Sequence, residues 1–248
     1  MQRRLFLFPC RLSIGKQRKQ ELLIFQRETG CKFKNLDLLE LAFHHRSFSN
    51  EQLSFPFNNE RLEFLGDSVL GMVVASELYE NYPDKAEGDL AKIKAAVVSE
   101  DSLAAVALKL NVDKYLVLGR GEEVSGGRQK KALLADAFEA LVGALYVDSG
   151  FKTVRRFILQ SIEDQMQLVI QGKHRYKDYK SVLQEYAQKQ YKTIPKYVVV
   201  DTSGPDHNRV FHVKVLIQNA EYGPAAGKSK KEAEQAVAEA ALTALQGE

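Results

Sequence analysis

Two cysteines in 248 residues, Cys10 and Cys31, are too few for a disulfide scaffold and lack metal-binding spacing. Such usage suits a reducing cytosol. Long apolar runs are missing as well, and no stretch reaches the length of a membrane span. Arg3 and Arg4 followed by Leu5 to Phe8 look superficially like a targeting segment, but Pro9, Cys10 and Arg11 cut the apolar run short. Residues 1–20 are therefore expected to be a mobile basic tail on a cytoplasmic protein. A nucleotide triphosphatase is excluded too. Gly227-Lys228-Ser229 ends like a P-loop, but the glycine required five positions before Gly227 is Tyr222. No second histidine cluster accompanies His44-His45-Arg46-Ser47, and adjacent histidines on a helix point in different directions. That run reads as a structural helix end.

Charge of one sign is lacking overall, yet it is unevenly distributed. The net charge is +3. Residues 1–20 hold six Lys/Arg and no acid, residues 21–172 hold 17 Lys/Arg against 23 Asp/Glu, and residues 173–248 hold 12 against 9. An acidic middle beside a basic module fits a metal-dependent enzyme with a polyanion-binding attachment.

The acids themselves are the most informative feature. Glu60, Glu63 and Asp67 are spaced i, i+3, i+7, which puts three carboxylates on one helix face. Like charges stacked this way repel unless a cation sits among them. Leu62, Phe64, Leu65, Val69 and Leu70 give the same helix an apolar side. Residues 132–147 are almost wholly apolar and are expected as a buried helix, interrupted by Asp136 and Glu139 at i, i+3. A buried carboxylate must be paired, protonated or metal-bound, and no Lys or Arg lies within a helical turn of Glu139. Either acid pair alone is also what a solvated helix face shows. If the two helices face each other, Glu63, Asp67, Asp136 and Glu139 converge. All-oxygen ligation suits magnesium or manganese, whose usual work in such a site is phosphoryl transfer.

The organisation is mainly α. Residues 21–168 read as helix after helix, with one helical stretch expected over 88–110 and punctuation at Gly30, Tyr82-Pro83-Asp84 and Gly119–Gly127. Residues 119–128 read as a loop leading into the second acidic helix. Residues 169–177 are polar with a glycine and are expected as a linker. Beyond them the pattern becomes α-β-β-β-α over 178–247. Tyr197 to Val200 is strand-like, Val210 to Gln218 alternates, a third strand is expected at Glu221–Ala226, and Ser229–Leu245 is an alanine-rich helix. Two helices packed on one sheet face make a small α+β domain.

These residues resemble bacterial-type ribonuclease III. Asn59 to Ser68 looks like that family's signature, and Glu87-Gly88-Asp89, Ser125-Gly126-Gly127 and Leu134 to Leu141 recur in the same order. The resemblance covers roughly residues 21–247, with an all-helical endonuclease domain over 21–168. It implies that Glu63, Asp67, Asp136 and Glu139 ligate magnesium, with manganese as a substitute. Asp67 and Glu139 would be most directly tied to catalysis, and Glu60 would assist. Phe64 is by default a core residue, but the matching family position looks like a knob inserted into a partner subunit of a homodimer. One departure is Ala132-Leu133-Leu134, where many relatives have a serine. No ligand is lost by it.

The last 70 residues are similar to a double-stranded RNA-binding domain. By that resemblance Gln184 and Glu185 reach a minor groove. Gly204, Pro205 and His207 reach the next one, and Lys228, Ser229, Lys230 and Lys231 meet phosphates at a helix start. Lysines at a helix N-terminus oppose its dipole, and a bound polyanion explains their placement. The family further implies hydrolysis of double-stranded RNA to staggered ends bearing 5′-phosphate and 3′-hydroxyl. The implied substrates are ribosomal RNA precursors and some messenger and transfer RNA precursors.

Overall fold

The helical periodicity resolves, in a computed structural model that describes residues 12–52, 56–171, 179–205 and 209–246, into two units. They comprise residues 1–174 and 175–248. The first holds α1 (Lys16–Thr29), α2 (Leu36–Ala42), α3 (Arg46–Glu51), α4 (Glu60–Asn81), α5 (Glu87–Val97), α6 (Glu100–Lys109), α7 (Val112–Tyr115), α8 (Arg120–Val124), α9 (Lys131–Ser149) and α10 (Phe151–Ile170). The second holds α11 (Tyr179–Tyr191), β1 (Lys196–Ser203), β2 (Val210–Ile217), β3 (Ala220–Gly227) and α12 (Lys230–Gln246). Among the described residues no helix is long and apolar enough to cross a membrane.

In the first unit α9 is the central helix. Its run from Leu134 to Leu145 is buried except at Asp136 and Glu139, which are half-buried. It packs along α4, whose Leu62, Val69, Leu70, Val73, Val74 and Leu78 recur at helical spacing and are buried. Two glycines set the separation. A Cβ on Gly66 of α4 would lie 1.8 Å from the Glu139 carbonyl oxygen, and one on Gly143 of α9 would lie 2.1 Å from the Leu62 carbonyl oxygen. The two backbones therefore touch, and the acids of both helices are drawn to one place.

Four boundaries differ from the sequence reading. Residues 16–20, expected in a tail, begin α1, because Arg18 is tied down: its Nε donates to Glu40 (2.7 Å) and its Nη2 to the Tyr115 carbonyl (2.6 Å). Residues 1–11 lie outside the described residues. The single helix expected over 88–110 is two, because Ser99 takes extended geometry and caps α6 by accepting from the Ser102 N–H. The segment expected as a loop at 119–128 contains α8. The Glu51 carboxylate accepts from Arg120 N (2.7 Å) and Gly121 N (3.2 Å), so the helix start is satisfied by a residue distant in sequence. Finally, α10 continues through Ile170 into the expected linker, of which 172–177 lie outside the described residues.

The second unit is an antiparallel sheet of order β1-β2-β3. Val213, Val215 and Ile217 of β2 are buried against Leu183 and Ala187 of α11 and Ala233, Val237 and Ala241 of α12. Phe211, expected on the same face, packs at the margin of that core. The start of α12 is well satisfied: Ser229 Oγ accepts from Glu232 N (3.2 Å), and Glu232 accepts from Lys228 N (2.7 Å).

The glycine contact is open to a direct test. Alanine normally stabilises a helix interior by about 1 kcal/mol over glycine. Gly71→Ala should do so, since its Cβ would meet only the end of the Lys94 side chain at 3.5 Å. Gly143→Ala should instead destabilise the first unit by about 1–3 kcal/mol, because overpacking outweighs propensity. Denaturant midpoints that move the same way for both variants contradict this account.

Candidate metal centre and nucleic-acid interface

The close approach of α4 and α9 has an electrostatic consequence. Ligand oxygens of Glu63, Asp136 and Glu139 lie within 4.8 Å of one another, and all three residues are half-buried. Burial, then the charges of Asp136 and Glu60, push the Glu63 carboxyl above its ordinary value. Burial and the charge of Glu100 raise that of Asp136. Glu139 is affected most. Burial first, then Asp67, Asp136 and Glu63, push it up to about 8. Carboxylates are held here at a spacing they resist, and the donor set is all oxygen. That is the character of a site for a hard divalent cation, and these residues fit magnesium or manganese.

The remaining acids are placed differently. Asp67 is exposed at the rim of the group, near enough to act on both Glu63 and Glu139. Glu60 is also exposed and turns to other partners. Its Oε2 accepts from Asn58 Nδ2 (3.0 Å), and its Oε1 lies 3.5 Å from Arg46 Nη1. Two residues near the group went unnoticed in the sequence. Glu100 begins α6 and acts on Asp136, while Arg46 opposes the acids at both Glu63 and Asp136. Neither shares a helix with the group, so no i, i+3 pattern pointed to them. His45 matches its reading as a helix end: Nδ1 accepts from Ser47 N and caps α3. Phe64, a core residue by default, is 78% exposed. Met72 and Tyr79 of the same helix are exposed as well.

In the second unit, one open groove is lined by Lys180, Gln184, Pro195, Tyr197 and Lys231. It brings Gln184 of α11 and Lys231 of α12 together, with Lys180 over the Tyr197 ring at 4.8 Å. Glu185 is exposed, as are Lys228, Ser229 and Lys230. Gly204 and Pro205 are exposed at the far end of β1, one eight-residue strand from the groove. At strand rise this is roughly 25 Å. His207 lies outside the described residues.

A family model described as Ribonuclease-III-like matches residues 35–166, and one described as double-stranded RNA binding motif matches residues 179–245. Ribonuclease 3 of Treponema denticola is 58% identical over 96% of this chain and 97% of its own length. Ribonuclease 3 of Borreliella burgdorferi is 46% identical over 93% of this chain and 94% of its own. Among solved structures, the nuclease domain of ribonuclease III from Campylobacter jejuni is similar with a TM-score of 0.53 at 39% identity. It covers 56% of this chain and 94% of that one, and is described as flexible in a region involved in dimer formation.

The raised carboxyls make stability depend on pH. Burial and the neighbouring acids raise the Glu139 carboxyl in the folded protein from its ordinary value of 4.5 to about 8. Between these values the folded state binds more protons than the unfolded state, so stability falls as pH rises through that window. Glu63 and Asp136 contribute with the same sign. Glu139→Gln cannot ionise and escapes its share of the loss. In EDTA, thermal unfolding should show the variant gaining on wild type from about pH 5 to about pH 8.5, the window set by this linkage. Parallel pH profiles would count against the crowding described above.

Proposed function

The chain belongs to the ribonuclease III family, and on that premise we propose that it is a magnesium-dependent endoribonuclease that hydrolyses double-stranded RNA. The observation that carries this reading is the group Glu63, Asp136 and Glu139, assembled from two closely packed helices with oxygens within 4.8 Å of one another. We assign these three residues and Asp67 to hold the cation, with manganese able to substitute. When bound, such an ion supplies an activated water and stabilises the departing 3′ oxygen. Glu139, half-buried and flanked by the other three, has its carboxyl raised to about 8, so a cation binding there displaces a proton. Asp67, at the exposed rim, stands where an incoming backbone meets the group. In-line attack there leaves 5′-phosphate and 3′-hydroxyl ends.

Duplex recognition falls to the second unit. A-form RNA hides its base edges, so a domain of this kind reads shape, phosphates and 2′-hydroxyls, spanning about 16 base pairs. The groove holding Gln184 and Lys231 and the Gly204–Pro205 end of β1 are far enough apart to meet successive minor grooves. The exposed lysines at the start of α12 then meet the intervening phosphates. One active site cuts one strand, so two copies are needed for a staggered cut, and a two-fold homodimer supplies them. Exposed Phe64 fits the contact between copies, and the dimer-forming region of the Campylobacter jejuni domain supports that assembly. We assign the protein to the cytoplasm, acting on precursors of ribosomal RNA and on some messenger and transfer RNA precursors.

Incubating the full-length protein with a long RNA duplex, with and without magnesium, tests the reading. Cleavage should require the metal. Asp67→Asn should cut at least about 100-fold more slowly, because it weakens the hold on the ion that stabilises developing charge, while duplex affinity stays nearly unchanged. Binding without cleavage by the wild-type protein would make it a binding protein instead. Replacing Lys230 and Lys231 together by alanine should weaken binding and flatten its salt dependence by about one unit of slope per lysine. An unchanged slope refutes the phosphate assignment.

A further inference from the structure

Arg46 is a cation standing where carboxylates are arranged to receive one. It begins α3, and the backbone around it is held firmly. His45 caps the helix through Nδ1, Ser47 Oγ accepts from Gly119 N (2.9 Å), and His44 O accepts from Asn59 N (2.8 Å). Its side chain is nonetheless 65% exposed. Its hydrogen-bond partner among the described residues is Glu60, and that contact is loose, at 3.5 Å through Nη1 alone. Glu60 is better held than Arg46. Asn58 Nδ2 donates to Oε2 (3.0 Å), and the Glu60 N–H donates to Asn58 Oδ1 (3.2 Å). Glu60 lies three residues before Glu63 on α4, about one helical turn away, and the Arg46 charge acts on both Glu63 and Asp136.

Stability does not account for this placement, because an exposed pair of such length adds little. Nor does metal binding, which a neighbouring positive charge opposes. A substrate phosphate does account for it. A guanidinium carries five donors in a fixed fork and binds phosphate oxygens through charge-assisted hydrogen bonds. Among the described residues the guanidinium has one side-chain contact, the long one from Nη1 to Glu60, so most of the fork is open to solvent near the cluster. We propose that Arg46 is a catalytic residue that donates to a non-bridging oxygen of the phosphodiester lying against Glu63, Asp136 and Glu139. Glu60 and Asn58 act through it as positioning residues. This inference rests on the nuclease reading above and specifies what Glu60 does in it.

The test is single-turnover cleavage of a long RNA duplex by the full-length protein at saturating duplex, across a magnesium titration. Arg46→Ala should slow the rate constant at saturating magnesium by about 100-fold, as expected for a lost oxyanion donor. Arg46→Lys, which keeps the charge but not the fork, should recover part of that loss. Duplex affinity in EDTA should stay within about twofold, since it is set by the second unit's phosphate contacts. Adding Glu60→Gln to Arg46→Ala should slow cleavage no further, because both act through one contact. A phosphorothioate diastereomer that slows the wild-type protein should not slow Arg46→Ala further. If Arg46 only tunes the carboxylates, Arg46→Ala will shift the half-saturating magnesium concentration and leave the saturated rate intact, which overturns the proposal. Full activity of both variants beside an active wild type refutes Arg46 alone, whereas a wild-type protein that never cuts refutes the nuclease reading itself.

Discussion

Gly66 and Gly143 present no side chain to the helix each faces, and so α4 and α9 meet backbone to backbone. A larger residue at either position would separate the helices. The carboxylates they hold would then separate too, since Glu63 and Asp67 flank Gly66, and Asp136 and Glu139 lie within two turns of Gly143. The apolar packing of α9 is thus spent on holding like charges together. Burial first, and then the charges of Asp67, Asp136 and Glu63, raise the Glu139 carboxyl to about 8. A cation resolves this crowding, because it converts mutual repulsion into shared attraction. The same core that gives the first unit its stability therefore gathers a set of oxygen donors suited to a hard ion.

The two units divide their tasks along chemical lines. The first presents half-buried acids and the Arg46 guanidinium, whose charge acts on two of them. The second presents lysines on a helix start whose backbone donors are satisfied by Ser229 and Glu232, so that the cationic side chains rest on a firm turn. A polyanion repelled by the acidic cluster needs such a basic surface to be held near it. The charge asymmetry along the chain is the sequence-level expression of that need.

Features that depend on local periodicity were legible in the sequence. The apolar run with Asp136 and Glu139, the stripe of Glu60, Glu63 and Asp67, and the α-β-β-β-α order all follow from spacings of 2 and 3.6 residues. Features that depend on distant partners were hidden. The helix at Arg120–Val124 forms because Glu51 caps it, and a glycine-rich segment alone gives no hint of that. The first turn of α1 looks like a basic tail until Arg18 finds Glu40 and Tyr115. Spacing placed Glu60, Glu63 and Asp67 on one face but could not say that Glu60 turns to Asn58 and Arg46, nor that Asp67 stays at the rim. Arg46 and Glu100 come from other helices, and only the packing brings their charges to bear. The family resemblance supplied meaning that spacing could not, above all for the turn and helix start of the second unit.

The central claim is that residues from two helices jointly hold one hard cation. Anomalous scattering from a crystal of the full-length protein grown with manganese measures this most directly. The account predicts a manganese peak within bonding distance of carboxylate oxygens from both α4 and α9, Glu63 and Glu139 among them. A peak bound by one helix alone, or none at that position while the ion is found elsewhere on the protein, would contradict it.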